Sequence, residues 1–204
     1  MIGIINYGSG NVNAIATMHS RLNIPFELVS NSDDLIRCDK LILPGVGDFD
    51  ETMRLLIGSG LKEALDKSVL IDKIPIIGFC VGMQIMSNRS EEGSGAGFGW
   101  IDGEVKKIDK NTLKSKPHLP HMGWNTVKPV VAHPLLDNIV FDKGFYFLHS
   151  YYFHCSNPND TIATTDYGHV FPTVINRENI YGIQFHPEKS HDNGIQIFQN
   201  FSQL

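Results

Sequence analysis

The stretch Pro75 to Gln84, P-I-I-G-F-C-V-G-M-Q, constrains the fold more than any other. Pro75 to Ile77 and Phe79 read as the end of a buried parallel strand, and Met83 to Ser87 as the first turns of a helix. Between them stands Cys80, with Gly78 two places before it and Gly82 two places after. Gly-x-nucleophile-x-Gly between strand and helix is the pattern of a nucleophile elbow, a turn so tight that its flanking positions tolerate little side chain. A thiol there sits near a helix N-terminus, whose partial positive charge favours the thiolate. The same residues also suit a buried structural cysteine among packing glycines, and the elbow alone leaves both accounts open.

The first half of the chain repeats the strand-turn-helix theme. Ile2 to Ile5 is a short apolar run ended by N-Y-G-S-G-N, followed by a helical pattern from Val12 to Leu22. Phe26 to Val29 is a second strand, Asp33 to Ile36 a short helical piece, and Lys40 to Leu43 a third strand cut off by P-G-V-G. Phe49 to Leu56 and Leu61 to Val69 carry helical spacing, and strand and elbow follow at Ile74 to Cys80. This alternation predicts a parallel, doubly wound α/β sheet that places ligands at the carboxyl ends of its strands. After a Gly- and Ser-rich loop (Glu91 to Gly103) come β-branched and aromatic runs: Gly103 to Ile108, Thr126 to Val131, Phe145 to His154, Ile162 to Thr165, Val170 to Ile175 and Ile180 to Phe185. These predict mainly antiparallel strands added to the sheet, with a closing helix from Gly194 to Phe201. With neither repeat nor linker, residues 1–204 are expected to form a single domain.

Composition excludes several classes. A net charge of -5 and the lack of a basic run argue against general nucleic-acid binding. Three widely spaced cysteines (Cys38, Cys80, Cys155) make neither a disulfide framework nor a Cys-x-x-Cys metal pair, so no metal is expected. The N-terminus has no basic region before its apolar residues, and no run is long enough to span a bilayer. A soluble cytoplasmic protein is the expectation.

A nucleophilic cysteine needs a base, and the base needs an orienting group. In G-I-Q-F-H-P-E-K-S (182–190) a strand runs into His186, Pro187 and Glu188. Pro187 favours an extended His186, and residues two apart on an extended chain share a side, so Glu188 can hold the His186 tautomer. The competing account is a surface turn after a strand. Acyl transfer also needs N–H groups aimed at a developing oxyanion. The P-G-V-G turn, Pro44 to Gly47, can supply one and Val81 another, although an ordinary strand-helix loop would read the same.

At these places the chain resembles the class I (triad) glutamine amidotransferases. Within them it is similar to the glutaminase subunits of imidazole glycerol phosphate synthases. The resembling stretches are N-Y-G-S-G-N (6–11), P-G-V-G-D-F (44–49), G-F-C-V-G-M-Q (78–84), S-E-E-G (90–93), P-H-M-G-W-N (120–125), F-Y-F-L-H-S-Y-Y (145–152) and G-I-Q-F-H-P-E-K-S (182–190). The pairing of P-H-M-G-W-N with G-x-Q-F-H-P-E-K-S is specific, whereas G-x-C-x-G alone is not.

The resemblance implies a central, mostly parallel sheet flanked by helices, and a Cys80-His186-Glu188 triad that releases ammonia from glutamine without a cofactor. It implies that Gln84 and His149-Ser150-Tyr151 hold the amino-acid end of glutamine. Val46, Gly47 and Val81 would line the oxyanion hole. It places Asn11, Met122 and Trp124 against a partner, a (β/α)8-barrel cyclase subunit (HisF-like) in a heterodimer. That partner uses the channelled ammonia to make imidazole glycerol phosphate and an aminoimidazole carboxamide ribotide in histidine biosynthesis. Core packing is the competing account of Met122 and Trp124. Two departures stand out. Phe79 and Val81 replace the usual neighbours of the nucleophile. S-H-D-N-G (190–194) and the expanded loop 91–100 are similar to a paralogous set that supplies ammonia for amidino-sugar synthesis in surface-polysaccharide pathways.

The G-G-E-S motif of the glutaminases serving pyridoxal phosphate synthesis is absent. An inactive scaffold that only binds a barrel is opposed by the intact Cys80, His186 and Glu188.

Overall fold

Strands that are apolar at every position need cover on both faces, and the chain provides it. The computed structural model describes residues 1–113 and 119–204. The chain runs through β1 (Ile2–Ile5), α1 (Val12–Arg21), β2 (Phe26–Val29), β3 (Lys40–Leu43), α2 (Phe49–Gly58), α3 (Lys62–Asp66), β4 (Ile76–Phe79) and α4 (Val81–Gln84). It continues through β5 (Arg89–Ser90), β6 (Gly103–Lys107), β7 (His121–Asn125), β8 (Lys128–Pro129), β9 (Phe145–His149) and β10 (Tyr151–Cys155). Last come β11 (Thr161–Asp166), β12 (Val170–Arg177), β13 (Ile180–Ile183) and α5 (His191–Gln203).

The main sheet has the order β2-β1-β3-β4-β13-β12-β11-β8. Its first five strands are parallel, and β12, β11 and β8 add antiparallel ladders at one edge. β1 and β4 are buried at all four positions. Alternation divides their side chains between two cores. Ile4, Ile42, Ile77 and Ile183 pack with Ile15 of α1 and with Phe198 and Phe201 of α5. Ile5, Leu41, Leu43 and Ile76 pack with Met53 and Leu56 of α2, Leu65 of α3, Trp100 and Phe153. α2 starts where Asp48 accepts the Glu51 N–H at 3.1 Å, with Asp50 and Glu51 in its first turn.

The chain departs from expectation in four places from the elbow onward. The expected helix from Met83 to Ser87 is a single turn, Val81–Gln84. The carbonyls of Ile85, Met86, Ser87 and Asn88 accept from Phe98, Ile101, Gly99 and Gly97 in the loop beyond, so they are not free to continue a helix. The run from Phe145 to His154 breaks at Ser150: β9 pairs with β7, while β10 pairs with β6 in a separate three-stranded sheet. Of Thr126 to Val131 only Lys128–Pro129 is strand, with Val130 and Val131 exposed, and the unexpected strand is β7. Finally, the added strands do not all join the main sheet as antiparallel partners, because β6 and β10 form their own layer and β13 enters parallel beside β4.

Candidate active site

Register explains why distant motifs meet. β3, β4 and β13 are neighbours, and Gly78 pairs with both Leu43 and Gly182. The turns that leave these three strands therefore emerge side by side: Pro44 to Gly47, then Cys80, then Gln184 to Glu188. They touch backbone to backbone. A Cβ on Gly82 would lie 2.0 Å from the Leu43 carbonyl oxygen, and one on Gly45 2.3 Å from the Gly82 nitrogen. Cys80 itself sits at φ 53°, ψ -112°, a conformation held only because the surroundings over-determine it. The helix behind the elbow is too short for much of a macrodipole, and what it offers is the N–H of its first residue, Val81, which no helix can satisfy internally.

The thiol is buried, at 3% exposure. Glu188 Oε1 accepts from His186 Nδ1 at 3.0 Å, with both side chains almost wholly enclosed. That bond assigns the Nδ1–H tautomer and leaves Nε2 toward the sulfur. Burial alone would push the imidazole pKa down. Hydrogen bonding to Cys80 and to Glu188, reinforced by their charge, overcomes this and raises it to about 10. The arrangement suits an imidazole that holds its proton beside the sulfur. The other cysteines lie elsewhere and are free: burial pushes Cys38 up and Cys155 up to about 11.

In the P-G-V-G turn the Val46 N–H is already taken. Ser9 Oγ accepts that N–H at 3.2 Å and donates to the Val46 carbonyl at 2.9 Å. Gly47 comes next at φ 104°, where a Cβ would meet nothing but the backbone would be strained for any other residue.

A cavity of about 510 Å³ opens above the thiol, lined by Asn11, Val46, Gly47, Cys80, Val81, Gln84, Glu92, His149, Ser150, Tyr151, His186 and Glu188 among others. Gln84 Nε2 is spent internally, donating to the Tyr151 carbonyl at 2.9 Å and to Gln184 Oε1 at 3.1 Å, so only its oxygen can serve a ligand. The His149 ring is also committed. Nδ1–H donates to the Tyr151 carbonyl at 2.8 Å, which leaves Nε2 to accept from His121 Nδ1–H at 3.0 Å. His121 Nε2 then accepts from Asn125 Nδ2 at 3.2 Å. The expected ligand contact of His149 thus reduces to its ring face and backbone.

Both imidazoles are buried and neutral, His121 lowered to about 4 by burial and His149 to about 3 by burial and by its histidine neighbours. Below the ordinary value of 6.5 the unfolded chain takes up protons that the folded one refuses. Stability is therefore fully present above pH 6.5 and falls as pH drops toward 4 and then 3. Thermal melts between those limits should show this loss, with a shallower slope in His121→Gln; equal slopes would mean the pair does not titrate with unfolding.

Met122 and Trp124 are 64% and 48% exposed, which removes core packing as their explanation. They pair with Leu148 and Tyr146 across β7 and β9, and of these four Leu148 lines the cavity; Trp124 also stacks on His191. Asn11 is half-buried on the cavity wall.

Three residues escaped the sequence reading. Glu92 lines the cavity, its Oε2 accepting from the Phe49 N–H at 3.0 Å, and burial with the nearby Asp48 and Asp50 charges pushes its carboxyl up. The S-E-E-G motif flagged its neighbourhood without choosing it. Ser9 holds the P-G-V-G turn, and Gln184 touches the sulfur; each lay inside a quoted motif whose chemistry was credited to other positions.

The family model for Glutamine amidotransferase class-I matches residues 3–203. Imidazole glycerol phosphate synthase subunit HisH of Leptospira borgpetersenii is 47% identical over 204 residues, covering all of both chains. The subunit of the same name from Bdellovibrio bacteriovorus is 45% identical, again over all of both chains. A crystal structure of a glutamine amidotransferase shares the fold with a TM-score of 0.72 at 15% identity, covering 100% of this chain and 99% of that one.

Proposed function

The chain belongs to the class-I glutamine amidotransferase family, and from that premise we propose that it is the glutaminase subunit of an imidazole glycerol phosphate synthase. The observation that carries the reading is the line Cys80, His186, Glu188 on the floor of the cavity, with the Val81 N–H and the P-G-V-G turn beside it. One amidotransferase unit spans residues 1–204. Among the described residues no helix is long and apolar enough to cross a membrane, in keeping with a cytoplasmic biosynthetic enzyme.

Glutamine enters with its α-ammonium toward Glu92, the lining carboxylate not committed to His186, and toward the Gln84 oxygen. Ser150 and Tyr151 hold the rest of the amino-acid end. The Cys80 thiolate attacks the carboxamide carbon, and the oxygen gains charge next to the Val81 N–H and the Val46–Gly47 turn. His186 gives its proton to the leaving nitrogen, ammonia departs, and a glutamyl thioester remains. His186 then takes a proton from water, which attacks the thioester and releases glutamate. Ammonia passes to a (β/α)8-barrel cyclase partner seated on Asn11, Met122 and Trp124.

Glutamate release by this chain, alone and with such a barrel subunit and its phosphoribosyl substrate, tests the reading; no release with any barrel partner would overturn it. Pairing with a barrel from an amidino-sugar pathway instead would change the partner and leave this chemistry as written. Glu188→Gln should lower kcat with little change in KM, by less than the ~10²–10⁴-fold loss typical when a general acid-base is removed. It keeps a hydrogen-bond acceptor for His186 Nδ1 and loses only the charge support. A variant as active as the wild type would mean that the Glu188 charge does not support His186.

A further inference from the structure

Gln184 is fully buried beside the elbow, and its neighbours fix the direction of its amide. Gln84 donates to the Tyr151 carbonyl at 2.9 Å, and a carbonyl only accepts, so the Gln84 atom there is its amino nitrogen. The same nitrogen lies 3.1 Å from Gln184, so the Gln184 atom facing it is the oxygen. The Gln184 amino group is thereby turned the other way, where it stands 3.7 Å from Cys80 Sγ. The Leu148 carbonyl oxygen also lies 3.7 Å from the sulfur. That oxygen can accept from a neutral S–H but gives nothing to a thiolate. The sulfur therefore sits between a partner for its neutral form and a partner for its anion.

We propose that Gln184 is the fixed donor for the Cys80 anion, its side-chain N–H holding the sulfur before attack and again as the thioester breaks. This rests on the glutaminase reading above. In the second half of the reaction a water oxygen bonds to the acyl carbon while His186 accepts a water proton. Collapse of the adduct breaks the C–S bond, and its electron pair returns to sulfur. At that moment the sulfur gains charge beside the protonated His186 and the Gln184 N–H. A hydrogen bond to an ionised partner is about twice as strong as a neutral one, and here it is buried and pre-oriented.

The test is alkylation of Cys80 by iodoacetamide as a function of pH, in the chain bound to its barrel subunit. Gln184→Met fills the space and removes both hydrogen bonds. Gln184→Glu keeps an acceptor for Gln84 and replaces the donor to sulfur. Both should alkylate at least ~5-fold more slowly near neutral pH, with the Gln184→Met profile displaced to higher pH. Both should lose kcat more than they raise KM. If either variant melts cooperatively like the wild type and alkylates with the wild-type profile, the proposal is wrong. Should both fail to fold, the wild type decides: the Gln184 side-chain ¹⁵N–¹H resonances should move as the thiolate absorbance near 240 nm develops, and fixed resonances overturn it. The alkylation and resonance measurements consume no glutamine. A wild type that releases no glutamate would overturn the glutaminase reading and leave this result standing.

Discussion

Replacing Cys80 with alanine should abolish glutamine-dependent turnover of the proposed complex with a barrel subunit and leave its ammonia-dependent synthesis intact. On the proposed reading the thiol serves only to free ammonia, and the proposed barrel partner would take ammonia from solution instead. Loss of a covalent nucleophile is on the order of 10⁴–10⁶ in kcat, because the thioester on Cys80 can no longer form. His186→Ala should fall in the same assay nearly as far, since the sulfur loses its cationic neighbour and the leaving nitrogen its proton. The labelling pattern gives an independent check. A glutamine analogue with an electrophilic side chain should modify Cys80 and spare Cys38 and Cys155, whose thiols burial holds in the unreactive form. Full glutamine-dependent turnover by Cys80→Ala, or equal labelling of all three cysteines, would remove the assignment.

Much of this site was legible in the sequence because the parallel sheet does the assembly. Runs such as Ile2 to Ile5 and Lys40 to Leu43 are too apolar for an exposed face, and each ends in a Gly-rich turn, so strand, turn and end of sheet could be read directly. Once β3, β4 and β13 lie together, Pro44, Cys80 and Gln184 must be neighbours. β7 was missed for a physical reason. Its buried positions start with His121, its exposed ones are Met122 and Trp124, and its middle is Gly123, so the usual polarity of an edge strand is inverted. Inversion of that kind marks a face meant to be covered. The helix after the elbow was read too long because its termination comes from the loop 97–101, whose N–H groups take the carbonyls of residues 85–88. No periodicity encodes such a long-range capture. Gln184 and Ser9 were hidden differently: both are polar residues in motifs where a stronger nucleophile or base draws attention, and only distances reveal their partners.

The isolated chain should be a poor glutaminase that its partner switches on. An oxyanion hole needs two converging donors, and here one of them is occupied by another acceptor. The Val81 N–H is available at the helix start, but the Val46 N–H is held by Ser9 Oγ, whose own proton is given to the Val46 carbonyl. Both peptide groups of Val46 are thus tied by one hydroxyl, and the missing donor is worth ~10²–10³ in kcat. Gly47 at φ 104° is the residue that lets the turn reorient at little steric cost. Adding the barrel subunit and its ligand should therefore raise glutamate release by roughly that factor, provided the partner binds the reoriented turn more tightly than the resting one. Ser9→Ala gives the internal control. It cuts both ties without touching the cavity floor, and since each net hydrogen bond of ~0.5–1.5 kcal/mol corresponds to about 2- to 13-fold, the activity of the chain alone should rise by at least that factor. Gly47→Val should act in the opposite sense, depressing partner-stimulated activity far more than partner affinity, because its φ is closed to a β-branched residue in this turn. A chain that hydrolyses glutamine rapidly by itself, with no response to the partner or to Ser9→Ala, would show that the turn seen here is already the working one.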